Sequence, residues 1–245
     1  MSYKLRVGEI VANSLYIAWN EKEVFLKAIS FPTLFLVLIG ALWNVYSENI
    51  GIYIGFLAFF VYGVSFSLFA VTCHRLILVR NSDTYRGFNF RVGIRELKFL
   101  GMVILVYGIV QFLEGIPITI AVNINDSFYF TDEEDRYYWI SLLLSVPALY
   151  VLGRLSLVFP ATAIDRKVSL KWSWVVTRGN GWRMFIIVGL FPWLLTLAVW
   201  LLWRENATVL EKTTLSIASY FGLAIEVFLL SLTYREFESY HSGES

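Results

Sequence analysis

Cysteine occurs once in this 245-residue chain, at Cys73, and histidine twice, at His74 and His241. One thiol excludes an internal disulfide and any multi-cysteine metal site. Two histidines are too few for a histidine-based metal centre, so no cofactor is expected. Catalytic motifs are missing as well: there is no Gly-x-Ser-x-Gly, no His-Glu-x-x-His and no phosphate loop. Cys73 and His74 are neighbours in sequence, which is not the spatial arrangement of a nucleophile and its base. Charge is scarce too, at 16% of residues, where soluble domains carry about a quarter.

What replaces the charge is apolar. Hydrophobic residues make up 58% of the chain and aromatics 18%, more than a soluble core of this size can hold. They fall into six long runs, near 24–46, 50–79, 99–122, 137–159, 184–203 and 213–234. Each is long enough for a hydrocarbon core that needs about 20 helical residues. None shows the alternation of a barrel strand, and helices satisfy every backbone group internally. The expected fold class is an all-α membrane protein with six transmembrane helices in a single polytopic domain.

Charge segregation sets the expected orientation. Residues 1–27, 74–98, 154–183 and 235–245 hold 17 of the 20 basic residues, and the opposite loops hold only Arg136, Arg204 and Lys212. The positive-inside rule then places both termini in the cytoplasm. The other side carries an acidic loop, Asp126 and Asp132 through Asp135, whose spacing is not that of a calcium site. The sequons at Asn125 and Asn206 also fall there. The N-terminus lacks the apolar run of a cleavable signal. Instead, residues 5–23 have helical period, with Val7, Ile10, Val11, Leu15 and Ala18 on one side and Glu9, Asn13 and Asn20 on the other. That pattern predicts an amphipathic helix at the membrane interface, or one packed on the rest of the protein.

A shift of 160 residues aligns the first third of the chain with the last. Asn20 meets Asn180, Phe31-Pro32 meets Phe191-Pro192, Trp43 meets Trp203, and Arg75 meets Arg235. A looser middle copy sets Arg154-Leu-x-Leu157 against Arg75-Leu-x-Leu78. The expected unit is an interfacial helix followed by two spans, used three times. An even number of spans per unit makes these parallel pseudo-repeats.

Candidate functional residues fall into two groups. Ionisable side chains inside spans are costly and therefore informative: Glu226 in the sixth run, Arg154 in the fourth, and Arg75 near the inner end of the second. Glu226 is the natural partner for Arg154, and Pro192 and Pro147 free backbone carbonyls nearby. The second group lies between Arg154 and Arg183, read as a cytoplasmic surface helix joining two spans. There Arg166, Lys167, Lys171, Arg178 and Arg183 surround Trp172 and Trp174. Indoles favour the headgroup layer, and each basic residue near an anionic leaflet gains about 1 kcal/mol. A second such surface runs from Arg80 to Lys98 with Phe88 and Phe90. Gly179-Asn-Gly181 is the expected break before the next span.

The run Gly153-Arg-Leu-Ser-Leu-Val-Phe-Pro160, then Asp165-Arg166, Ser173-Trp174 and Thr177-Arg-Gly-Asn-Gly-Trp-Arg183, is similar to a signature of YciC-like bacterial inner-membrane proteins. These are uncharacterised, and related to the membrane domain fused to some glycerophosphodiester phosphodiesterases. The resemblance implies a multi-pass protein of the bacterial inner membrane without an assigned reaction; the phosphodiesterase's catalytic barrel has no counterpart here. The expected role is non-enzymatic. It is engagement of anionic lipid headgroups in lipid handling, envelope maintenance or as an accessory to a membrane protein complex, with no nucleic acid as partner. A small transporter with a polar site at Arg154 and Glu226 is the second reading, and a membrane-embedded enzyme the third.

Overall fold

The computed structural model describes residues 3–20, 52–79, 92–125, 145–202 and 209–242, with the single positions 23, 30 and 34. The expected first span at 24–46, the basic surface from Arg80 to Arg91, the acidic loop from Asp126 and the sequon at Asn206 lie outside these segments, as does most of that at Asn125. All regular structure among the described residues is helical. We number the helices α1 (Val7–Asn20), α2 (Ile52–Leu78), α3 (Ile94–Asn125), α4 (145–155), α5 (Val158–Ala163), α6 (Leu170–Val176), α7 (Gly181–Phe185), α8 (Phe191–Leu202) and α9 (Val209–Ser242).

Among the described residues, four stretches are long and apolar enough to cross a membrane: Phe60–Leu78, Ile94–Gly115, Ser145–Ala163 and Gly181–Val199. The chain is thus a helical membrane protein, and its surface agrees. Phe112, Leu57 and Leu201 are 69%, 61% and 68% exposed, an arrangement water would penalise and lipid does not. Side-chain hydroxyls within the helices turn back onto their own backbone: Ser65 to Val61, Ser67 to Gly63, Thr72 to Leu68 and Thr233 to Leu229, all near 2.8 Å. With no water at that depth, the carbonyl four residues earlier is the available acceptor.

α9 is the hub. It packs on α2, α8, α1 and α5, and the fully buried side chains Phe69, Leu157, Met184, Phe228 and Leu229 meet around it. α3 closes the other side by packing on α2 and α5.

Several expected boundaries change. The fourth run is not one rod: α4 ends at residue 155, a turn occupies 156 and 157, and α5 carries the chain on to Ala163. Inside the turn Ser156 Oγ donates to the Gly153 carbonyl at 2.8 Å. The fifth run starts as α7, widens into a π-helical turn at Ile186–Leu190, and only then becomes α8. Pro192 lacks the N–H that would close the preceding turn, and a π turn is one way to absorb that loss. α4 and α7 approach so closely that a side chain at Gly153 would lie 2.9 Å from the Met184 carbonyl carbon. α9 runs past the sixth run to Ser242, so its last turns stand beyond the apolar stretch.

α1 carries two apolar surfaces where the sequence suggested one. Ile10 and Ser14 are buried, with Val7, Val11, Ile17 and Ala18 packed beside them. Leu15, Tyr16 and Trp19 point outward, at 47%, 68% and 73% exposure. Leu15 therefore leaves the inner face on which the helical period had placed it.

Candidate functional site

Arg154 sits on the last turn of α4, 7% exposed, and organises the segment that follows. Its Nε donates to Thr177 Oγ1 at 2.7 Å and one terminal nitrogen donates to Tyr150 Oη at 3.3 Å. The other donates to the Trp174 carbonyl, and the guanidinium carbon lies 4.3 Å from the centre of the Trp174 ring. A desolvated cation over an indole contributes about 2 kcal/mol. The backbone carbonyl of Arg154 in turn accepts from Ser173 Oγ at 2.8 Å and Thr177 Oγ1 at 3.3 Å. One residue of the span therefore grips α6 at Ser173, Trp174 and Thr177. No carboxylate pairs with Arg154 among the described residues, and Glu226 lies elsewhere. The structure does not bring these two together.

α6 itself is short, seven residues from Leu170 to Val176, where the sequence suggested a longer surface helix. Ser169 caps it by accepting from the Trp172 N–H at 3.1 Å. Gly179 then reverses the chain at φ 83°, a backbone region glycine enters without strain. Lys171, Trp174, Val175 and Arg178 are all exposed; the i, i+3 and i+4 spacing of the first three aligns them on one face of α6, and Arg178 follows in the turn. Lys167, Lys171 and Arg178 form no ion pair among the described residues. The remaining headgroup candidates are engaged internally. Trp172 turns inward against Tyr234, ring centres 6.2 Å apart. Arg166 pairs with Glu238 and donates to Tyr234 Oη at 2.9 Å. Arg183 donates to Asn180 Oδ1 at 3.3 Å.

Arg75 belongs to a different cluster. Its guanidinium reaches the Ala163 carbonyl at 3.4 Å and the Asp165 carboxylate at 4.0 Å, and Arg95 binds the same carboxylate at 2.6 and 2.8 Å. Asp165 ends α5 in the left-handed region, φ 64°. The Arg166 N–H bonds to Ala161 O at 2.9 Å and the Asp165 N–H to Thr162 O at 3.0 Å, which is the Schellman arrangement. A non-glycine residue there costs about 1 kcal/mol. The half-exposed ion pairs return an amount of similar size at most, so their effect is to tie α2, α3 and α5 together at one end.

Asn180 is the polar residue the sequence gave least reason to single out. It is 2% exposed. Its Oδ1 accepts from the Leu5 N–H at 2.8 Å and its Nδ2 donates to the Tyr3 carbonyl at 2.9 Å. A single side-chain amide thus pairs with the N-terminal segment as a strand neighbour would. Tyr3 then stacks on Tyr240, centres 4.5 Å apart, and donates to Glu236. Burial, followed by that carboxylate, raises the phenol pKa above its ordinary value.

At membrane depth a partly open cavity of about 330 Å³ lies between α2, α3, α4, α5, α9 and the π turn with the start of α8. Phe99, Tyr107, Phe159 and Trp193 contribute to its wall, and the polar lining residues include Glu226 and His74. His74 is 1% exposed, and its Nδ1 lies 2.7 Å from Ser231 Oγ, so it engages α9 and not the neighbouring Cys73.

No family model matches the chain, and no curated protein or solved structure is measurably similar to it.

Proposed function

We propose that the chain is a six-span bundle of the bacterial inner membrane, with both termini in the cytoplasm, that engages anionic lipid headgroups through α6 and its flanks. In this reading the protein is non-enzymatic, belongs with the YciC-like proteins, and is built from three parallel repeats of an interfacial helix and two spans. Lipid handling, envelope maintenance or support of a membrane complex are the roles that such a surface serves. The distribution of basic residues supports the orientation, since reversing it would carry 17 of 20 across the membrane.

The observation that carries the reading is the outward face of α6 with the turn that follows. Lys171 on the helix and Arg178 in the turn flank Trp174 and Val175 in sequence, all four exposed. Neither cation is neutralised by a described carboxylate, while the inner side of the helix is locked by Arg154. An indole and a valine between two unpaired cations match the layered chemistry of a headgroup region, apolar toward the acyl chains and positive toward phosphate.

The test compares the wild type with Lys171→Glu/Arg178→Glu after detergent extraction. At about 1 kcal/mol per basic residue, the double reversal is expected to cut co-purifying anionic phospholipid by about tenfold or more, with zwitterionic lipid unchanged. Equal anionic lipid in both proteins overturns the reading.

A further inference from the structure

We infer that the membrane-depth cavity is a binding site for a lipophilic organic amine in its ammonium form, with Glu226 as its counter-ion and His74 as a second acceptor. Ser231 Oγ lies 2.8 Å from the Val227 carbonyl, which can only accept, so the hydroxyl proton is committed there. The 2.7 Å contact with His74 is then an imidazole N–H donated from Nδ1 to Ser231 Oγ. This assigns the tautomer from the network and leaves Nε2 as an acceptor. That nitrogen has no hydrogen-bond partner, on a side chain 1% exposed. Buried polar atoms in folded proteins are nearly always satisfied, and an orphan calls for a missing partner.

Glu226 presents the same deficit more strongly. Its carboxylate has neither a hydrogen bond nor an ion pair among the described residues. The two donors in the wall, the Tyr107 hydroxyl and the Trp193 indole, bond to neither acceptor. Among the described residues, no lysine or arginine lines the cavity. A phosphate or carboxylate ligand would therefore meet negative charge with no compensation, and an uncharged apolar ligand would leave both acceptors unsatisfied. A ligand that brings positive charge and N–H donors corrects both. Phe99, Tyr107, Phe159 and Trp193 line the same cavity, aromatic rings attract a cation, and the apolar walls take its hydrocarbon body.

Size agrees: a cavity of about 330 Å³ is at the lower end of the range that takes small organic ligands. The site is independent of the headgroup surface: it shares no residue with α6.

The experiment uses the full-length protein in detergent micelles, with radiolabelled 4-phenylbutylamine as probe and empty micelles subtracted. n-Pentylbenzene, its uncharged isostere, serves as competitor. Saturable binding is expected, displaced by unlabelled amine and at least about tenfold less effectively by pentylbenzene, since charged hydrogen bonds contribute about 1.5–3 kcal/mol. Glu226→Gln is expected to weaken amine binding by a similar factor while retaining the wild-type elution profile. Val103→Phe, which fills the cavity from α3, is expected to abolish it. Absence of saturable binding to the wild type overturns the inference, as does equal displacement by pentylbenzene. Undiminished binding to Glu226→Gln overturns the role of the counter-ion. The wild-type comparison of amine and isostere decides the matter even if a variant fails to fold.

Discussion

The two ends of this bundle treat polar groups in opposite ways. At the base, around Arg154, Asp165 and Asn180, almost every buried donor and acceptor is matched: the Arg154 guanidinium alone bonds to Thr177, Tyr150 and Trp174. At membrane depth, Glu226 and His74 line a cavity, and among the described residues neither the Glu226 carboxylate nor His74 Nε2 has a hydrogen-bond partner. Saturated networks hold a structure together, and their members are poor candidates for ligand contact because they have no capacity left. Unsaturated acceptors inside an apolar shell cost stability and so point to something that completes them. By this measure the arginine that looks most functional in the sequence is architectural, and the glutamate is the group with chemistry to spare.

Substitutions at three residues sharpen or break this contrast. The largest effect is expected from Arg154→Ala, which orphans Thr177, Tyr150 and the Trp174 carbonyl and leaves a void under the indole. We expect a loss of about 3 kcal/mol or more, read as a lower unfolding midpoint in detergent. Arg154→Lys recovers only part of it, because an ammonium neither forks nor stacks as a guanidinium does. Next comes Asn180→Ala, which strands the Leu5 N–H and the Tyr3 carbonyl at a cost of about 1–3 kcal/mol. Its effect is local: faster proteolysis at Lys4 and Arg6, with the bundle's midpoint falling less than in Arg154→Ala. The smallest is Glu226→Gln, which removes no partner and is expected to leave the midpoint within about 0.5 kcal/mol of wild type or raise it. A fall as large as that of Arg154→Ala would erase the distinction between the two regions.

Parts of this arrangement were legible in the sequence. Length and continuity of the apolar runs predict helices, because lipid leaves the backbone no other way to satisfy itself; α2, α3 and α9 follow. Gly179 marks the expected break. Arg154 is conspicuous because its depth is costly, but its partners leave no such mark. They are two hydroxyls, a carbonyl and a ring, none of which carries the charge by which a search for an opposite partner proceeds. Glu226 was suggested for that reason, and the fold instead places it on a cavity. Asn180 reads as a turn residue, since asparagine before glycine favours turns, and nothing local shows that its amide faces residues 3 and 5. The π turn before Pro192 and the turn at 156–157 inside the fourth run are invisible to hydropathy, which counts apolar residues without regard to helix register. His74 stands beside Cys73 in sequence, yet its partner, Ser231, lies 157 positions away.

The docking of the N-terminal segment has a consequence for how the molecule is made. Tyr3 and Leu5 leave the ribosome well before their partners: Asn180 and Glu236 follow 177 and 233 positions behind Tyr3. At about 5–20 residues per second, the interval is of order ten seconds or more. The segment of Tyr3 and Leu5 is thus a closing latch: it can engage only after Asn180 and the end of α9 have been delivered and packed.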